Sequence, residues 1–342
     1  MLVLDRCCCH DRPVTQPGAI DVPVNTPARR DRALVVGAAS VTVVLWASAF
    51  VGIRAAAEDF DPGPLTLARA VVGSLGLALL HSVLRARGAR AGGATPQRGR
   101  LRDAPRKVLV GIVLWGVAWF GVYNIALNAA EHHVDAGTAA LLVNLAPMVT
   151  AVLAGLVLGE GFPRRLIAGM AVAFLGVVVV AAATSTGRYD AVGVLLGIAA
   201  AVIYGTAATF QKRLLQHVDA PTMTLVGCLA GTVACLPFAP ELVRAVAAAP
   251  ASSVLSVVYL GVFPTAVAFT TWGYVLSRTS AGRTAATTYA VPAVVVVLSW
   301  LVLRETPPAL ALLGGALALA GVAVATTRRS SPARPAPHLE TR

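Results

Sequence analysis

The sequence predicts an all-α membrane protein of ten transmembrane helices, built as two inverted five-helix repeats. Three observations carry that expectation. The 342-residue chain is 57% hydrophobic and only 13% charged, with a mean hydropathy of +0.74. Apolar runs recur along its whole length, and a block of landmarks is written twice, 145 residues apart. A soluble chain of this size needs far more charged surface. The runs are rich in Ala, Val, Leu and Gly and lack the alternation of an outer-membrane barrel strand, so helices are expected.

Ten segments reach the length of about 20 residues that crosses a roughly 30 Å hydrocarbon core. They are 34–54, 64–84, 108–130, 135–158, 165–184, 191–211, 221–239, 253–276, 281–303 and 309–327. The formal net charge of +12 is a topology signal rather than a nucleic-acid patch. With the N-terminus inside, 23 of the 28 Lys and Arg fall in inner tails and loops, among them Arg29, Arg30, Arg32, the run Arg85–Lys107, Arg164, Arg165, Lys212, Arg213, Arg278, Arg283, Arg328 and Arg329. Outer connections hold Arg54, Arg188, Arg244 and Arg304, with Glu58, Asp59, Asp61, Glu131 and Asp135. The positive-inside rule then places both termini in the cytoplasm of a cell whose inner membrane the chain crosses. Segments 1–30 and 329–342 are expected to be disordered cytoplasmic tails, and 86–105 a basic cytoplasmic loop. Cys7, Cys8 and Cys9 lie in a polar leader without an apolar signal core, where an unstructured tail or a later start codon is expected before acylation. Cys228 and Cys235 are expected to be small buried residues of an apolar helix.

The repeat is read from two stretches, "NLAPMVTAVLAGLVLGE" ending at Glu160 and "YAVPAVVVVLSWLVLRE" ending at Glu305. A shift of 145 brings Gly137 onto Gly282, Pro147 onto Pro292, Glu160 onto Glu305, Pro163 onto Pro308, Gly169 onto Gly314 and Gly176 onto Gly321. A weaker echo at 158 brings Trp46 onto Tyr204, Asp61 onto Asp219 and Thr66–Leu67 onto Thr224–Leu225. Five helices is an odd number, so the second half enters the membrane from the opposite side. Inverted halves are the architecture of alternating-access carriers, with the site near the midplane between them.

Candidate site residues follow. Pro147 and Pro292 lie near the middle of their spans, where each breaks its helix and frees a carbonyl four residues earlier. Asn144 and Tyr289, three residues before them, share the proline face. A polar amide and irregular backbone at that depth need either protein partners or a water-filled cavity. On the third span Trp115, Trp119 and Tyr123 form an aromatic stripe, beside a polar stripe of Asn124, Asn128 and Glu131. The asparagines either line an aqueous path or bond a neighbouring helix. The equivalent helix of the other half offers Pro264, Phe269 and Trp272, the first span Trp46 and Phe50, and the sixth Tyr204. These aromatics suit the apolar part of a small solute, and core packing is the alternative for each. Glu131, His132, His133 and Asp135 lack the spacing of a metal site, and no metal or other cofactor is expected; a pH-sensing lip remains open. Glu160 and Glu305 sit at helix ends, suited to gating or to pairing with Arg164, Arg165 or Arg304. Arg69 is the one basic residue well inside an apolar span, able to snorkel, to bond freed carbonyls, to pair with Glu131, or to meet a substrate carboxylate.

Taken in order, "LWASAFVGIRAAA", "PLTLARAVV", "NLAPMVTAVLAGLVLGE", "LIAGMAVAFLGVVVV", "YLGVFPTAVAFTTWGYVL", "VPAVVVVLSWLVLRE" and "LLGGALALAGVAV" resemble the EamA-type carriers of the drug/metabolite transporter superfamily. The resemblance covers about 34–327, and makes 31–184 and 190–328 two EamA-like repeats. It implies ten helices, both termini inside, and permeation or export of small metabolites, often amino acids or their derivatives. It also includes an arginine at the Arg69 position across carriers of differing substrates, which implies a gating or structural role. The "RE" at Arg304–Glu305 departs from the "GE" of the first half. An uptake permease for another solute and an intramembrane enzyme are the rival readings. The enzyme would need a catalytic constellation at membrane depth, and no Asp, Glu or His falls in the central third of any span. The expected partners are a small-molecule substrate and the lipid bilayer, with no nucleic acid; a homodimer is compatible with the sequence.

Overall fold

The computed structural model describes residues 29–90, 101, 104–134, 136–184, 190–303 and 308–327. Every regular element among them is helical. The chain runs through α1 (Arg29–Ala56), α2 (Pro62–Arg90) and α3 (Arg106–Gly116). A π-helical turn (Val117–Tyr123) joins α3 to α4 (Asn124–His133). Then come α5 (Ala136–Val143), α6 (Ala146–Val157), α7 (Arg164–Thr184), α8 (Ala191–Leu214) and α9 (Ala220–Cys235). A short 3₁₀ turn leads to α10 (Ala239–Ala248) and α11 (Ala251–Leu260). A second π-helical turn (Gly261–Val267) joins α11 to α12 (Ala268–Arg278). Finally α13 (Ala281–Ala286) passes through a 3₁₀ turn (Thr287–Ala290) into α14 (Val291–Leu303), followed by α15 (Ala309–Thr326).

Start signals are polar side chains where the chain turns back. Asp190 accepts from the Gly193 amide at the head of α8, and Asp219 from the Thr222 amide at the head of α9. Each satisfies one of the donors that a helix start leaves open.

Nine helices among the described residues are long and apolar enough to cross a membrane, while the apolar stretch Leu141–Val157 is shorter. That stretch belongs to the expected span 135–158, and the chain is interrupted there. Helix α5 ends at Val143, Asn144 and Leu145 form a turn, and α6 begins at Ala146. Pro147 therefore sits in the first turn of α6, where its missing N–H removes no helical bond. Pro292 likewise sits in the first turn of α14, just after the 3₁₀ turn. Both prolines start helices inside the bundle rather than kink continuous ones, a correction to the expected mid-helix break.

Large apolar side chains face outward on many helices, including Leu75, Leu114, Leu156, Leu195, Leu255 and Leu313, each more than 60% exposed. Such a belt suits lipid and not water. Helices meet through small residues. A Cβ on Gly116 of α3 would run into the Gly227 carbonyl oxygen of α9. On the antiparallel pair α7 and α15, a Cβ on Gly169 would meet the Gly321 oxygen at 2.7 Å, and one on Gly176 the Gly314 oxygen at 2.6 Å. Close backbone approach is how helices associate where no hydrophobic drive separates helix from solvent.

Several packings occur in matching pairs. Helix α1 packs on α12 and α14, while α8 packs on α4 and α6; α2 packs on the second π turn, while α9 packs on the first. The central core is aromatic, formed by Trp115, Trp119, Phe120, Tyr204, Phe269 and Trp272.

Candidate functional site

The two π turns shape the site. A π turn leaves carbonyls without their α-helical donors, and such turns recur at functional positions. In the first, Asn124 Nδ2 donates to the Trp119 carbonyl at 2.8 Å and to Phe120 O at 3.4 Å. In the second, Pro264 has no N–H to offer the carbonyl of Leu260. The Thr265 hydroxyl donates to that carbonyl instead, at 2.9 Å. Trp46 Nε1 donates to the Pro264 carbonyl at 3.3 Å, which ties α1 to the same turn.

Against the first of these turns lies a cavity of about 80 Å³. It has room for several waters or a compact solute. Aromatic rings wall it: Trp46 lies 6.1 Å from Tyr204 and 5.4 Å from Phe269, and Trp119 lies 5.1 Å from Tyr204 and 5.4 Å from Phe269, between centroids. Phe50, Ile53, Leu127, Val143 and Val291 add apolar surface. The polar lining is Arg69, Tyr123, Asn124, Asn144, Tyr204 and Thr288. Arg69 Nε donates to Thr265 Oγ1 at 2.9 Å, the same hydroxyl that caps the Leu260 carbonyl. Tyr204 is buried, and its hydroxyl faces that of Thr288, outside ideal hydrogen-bond geometry.

Six of the eight residues expected to form the cavity line it, namely Trp46, Tyr123, Asn124, Asn144, Tyr204 and Phe269; Arg69, expected to be a gating or structural residue, lines it with them. Two do not. Trp272 lies behind the wall, 5.1 Å from Trp46, and donates from Nε1 to Gln211 Oε1 at 2.9 Å. Tyr289 packs away from the cavity, against Phe174 and the core shared by α7 and α15. The 3₁₀ turn is the reason: its tighter winding turns Thr288 inward and Tyr289 outward, so the face expected from α-helical spacing is not the face formed. Thr288 was not anticipated, and only the TTYA composition before Pro292 hints at non-α winding there. Asn128 bonds a neighbouring helix, donating to Thr66 Oγ1 at 3.1 Å.

Away from the cavity, beyond α6, helix ends are tied to one another. Gly159 and Gly161 adopt φ of 68° and 67°, a left-handed reversal that glycine accommodates without strain. Between them Glu160 turns its carboxylate onto the start of α13, accepting from the Ala281 amide at 2.7 Å and the Gly282 amide at 3.2 Å. This corrects the expected pairing with Arg164, Arg165 or Arg304: a helix start presents preorganised N–H donors and a positive dipole end, which an exposed arginine does not. Lys212 Nζ donates to the carbonyls of Leu276 and Thr279, both at 2.6 Å. Glu305 and Arg304 lie outside the described residues. So does Asp135; among the described residues no three His, Cys, Asp or Glu cluster as metal ligands, and His133 Nδ1 pairs with Asp190 Oδ2 at 2.9 Å.

Many apolar membrane-length helices, packed through small residues around a solute-sized cavity, define a multi-pass membrane protein of the carrier type. The EamA-like transporter family matches residues 34–182 and again residues 191–327. The chain belongs to that family and is a membrane transporter. It is 38% identical over 288 residues to the "Probable terminal-alkyne amino-acid exporter" of Streptantibioticus cattleyicolor, covering 84% of this chain and 92% of that protein. It is 35% identical over 286 residues to the "Uncharacterized transporter YdfC" of Bacillus subtilis, covering 83% and 88%. The "Probable amino-acid metabolite efflux pump" of Salmonella typhimurium is 27% identical over 213 residues, covering 59% and 71%. A solved structure described as "Crystal structure of protein" superposes with a TM-score of 0.65 over 86% of this chain and 98% of that one, at 21% identity, a likeness of fold.

Proposed function

We propose that this transporter exports small metabolites, amino acids or their derivatives, by alternating access, with the aromatic cavity as its midplane substrate site. The reading includes ten transmembrane helices in two inverted five-helix halves, 31–184 and 190–328. Both termini lie in the cytoplasm and the chain resides in the inner membrane.

The observation that carries the proposal is the contact between Trp46 and Tyr204 in the cavity wall. These residues are 158 apart, the spacing that also relates Asp61 to Asp219. A residue touches its own counterpart where the symmetry axis between two halves passes, and inverted-repeat carriers bind substrate there. Other contacts agree. The hydroxyls of Ser74 and Thr232 bond at the same separation of 158. The pair Gly169–Gly321 becomes Gly314–Gly176 under the shift of 145, and both are in contact. The paired packings of α1 and α8, and of α2 and α9, exchange elements between halves in the same way. The family's two successive matches divide the chain at the same place.

The charge distribution supports cytoplasmic termini, because Arg164, Arg165, Lys212, Arg213, Arg278 and Arg283 all gather at the Glu160 end. That end is then the inner gate, closed by Glu160, with Glu305 as its proposed counterpart at the outer face. The names of two relatives support amino-acid-type solutes and the outward direction. Family membership favours transport over intramembrane catalysis. The test is efflux of preloaded propargylglycine and leucine from cells expressing the protein. Faster efflux than from control cells is expected; accelerated uptake with unchanged efflux would overturn the outward direction, and no flux of either solute would overturn the amino-acid reading.

A further inference from the structure

Arg69 is held in the cavity wall by a single hydrogen bond, from Nε to Thr265 Oγ1. That hydroxyl is itself fixed, since it donates to the Leu260 carbonyl of the second π turn. A guanidinium has five N–H donors in a rigid fork. Among the described residues the four on its two terminal nitrogens make no hydrogen bond, and no carboxylate lies within ion-pair distance of Arg69. Glu131 adds an electrostatic attraction to it. A cation at this position, with apolar rings around it and no local counter-ion, is costly inside a membrane protein. An anionic ligand group would remove that cost.

We infer that Arg69 binds the carboxylate of the transported solute, a group common to solutes that differ in side chain, with Thr265 as its positioning residue. The inference rests on the cavity being the transport site. The chemical class it names is a free α-amino acid with an apolar side chain. The terminal nitrogens of Arg69 match the two carboxylate oxygens. The Asn124 amide oxygen and the Tyr204 hydroxyl, both in the cavity lining, are the acceptors for the ammonium group. The rings of Trp46, Trp119 and Phe269 take the side chain. Esters and amides of the same amino acid lack the anion and bind less well.

The test uses purified full-length protein in liposomes, with propargylglycine and its amide, which lacks the carboxylate charge, as the two probes. Arg69→Gln is expected to lower transport efficiency for the acid by roughly 10- to 100-fold, the size of a lost charged hydrogen-bond pair, and for the amide by less than about threefold. Arg69→Lys keeps the charge but loses the fork, and is expected to fall between Gln and wild type for the acid. Thr265→Val keeps the arginine but releases it, so KM for the acid should rise while that for the amide stays close to wild type. Size-exclusion profiles of the solubilised variants report folding separately. Equal losses for acid and amide in folded Arg69→Gln would overturn the inference and leave the transport reading standing. Absence of flux for both probes in the wild type would overturn the transport reading, and this inference with it.

Discussion

Glu160 and Lys212 at one end of the bundle, and Arg69 in the cavity, are charged groups placed on the same apolar scaffold in opposite ways. The carboxylate of Glu160 accepts from two backbone amides, and Lys212 donates to two backbone carbonyls, so each joins one helix end to another. Arg69 gives one N–H to Thr265 and faces the cavity with the rest. A charge bound to backbone can only hold the protein to itself. A charge left facing a cavity can hold something else. The difference separates a latch from a binding group on physical grounds, without reference to any relative.

The comparison breaks most clearly at the latch. Glu160→Ala removes two charge-assisted hydrogen bonds, each worth about 1.5–3 kcal/mol. Even after discounting for partial exposure, that is enough to shift a two-state equilibrium by roughly tenfold or more. Transport should fall by about that factor, and a cysteine at Phe50 should become more reactive toward a thiol reagent supplied from the cytoplasmic side. Unchanged transport and reactivity would make the Glu160 contact a packing detail.

A smaller effect is expected at the first π turn. Asn124→Leu leaves the Trp119 carbonyl without its side-chain donor, at a cost of about 1–3 kcal/mol. The melting temperature of the detergent-solubilised protein should drop measurably, and more than for Asn124→Ser, which keeps a polar group. Equal melting of wild type and Asn124→Leu would remove Asn124 from the support of the turn.

The smallest effect belongs to an exposed contact that touches neither region. The Gly193 amide, and after it the His133 ring, hold the Asp190 carboxyl below the usual carboxylate value. Such a contribution is present above the carboxyl's unfolded value and is lost as pH falls through the lower folded one. Both side chains are exposed, at 41% and 51%. Asp190→Asn should therefore keep transport at pH 7 within about twofold of wild type, since exposed pairs contribute little. A tenfold loss would place this corner in the transport cycle.

Much of this was legible in the sequence because it depends on spacing and composition. The apolar runs and the ordered landmarks name the class, and six cavity residues follow from aromatic and amide positions on those helices. What was not legible depends on backbone winding. Tyr289 was expected inward on α-helical spacing, but the 3₁₀ turn gives that direction to Thr288. The interruption at Asn144–Leu145 comes one turn before the place Pro147 suggested, because a proline is best tolerated in the first turn of a new helix. The partners of Glu160 are amides more than 120 residues away, and no local pattern encodes them.

The most direct measurement of the central claim is a reversible lock on the sealed end. In a background with native cysteines replaced, Glu160→Cys and Ser280→Cys are joined by a short cleavable thiol crosslinker, and export is followed before crosslinking, after it, and after cleavage. Alternating access through this cavity predicts that the uncrosslinked double variant still transports, at a reduced rate, that crosslinking abolishes transport, and that cleavage restores it. Full transport with the crosslink in place would contradict it, since solute would then be passing without opening of the end that Glu160 holds.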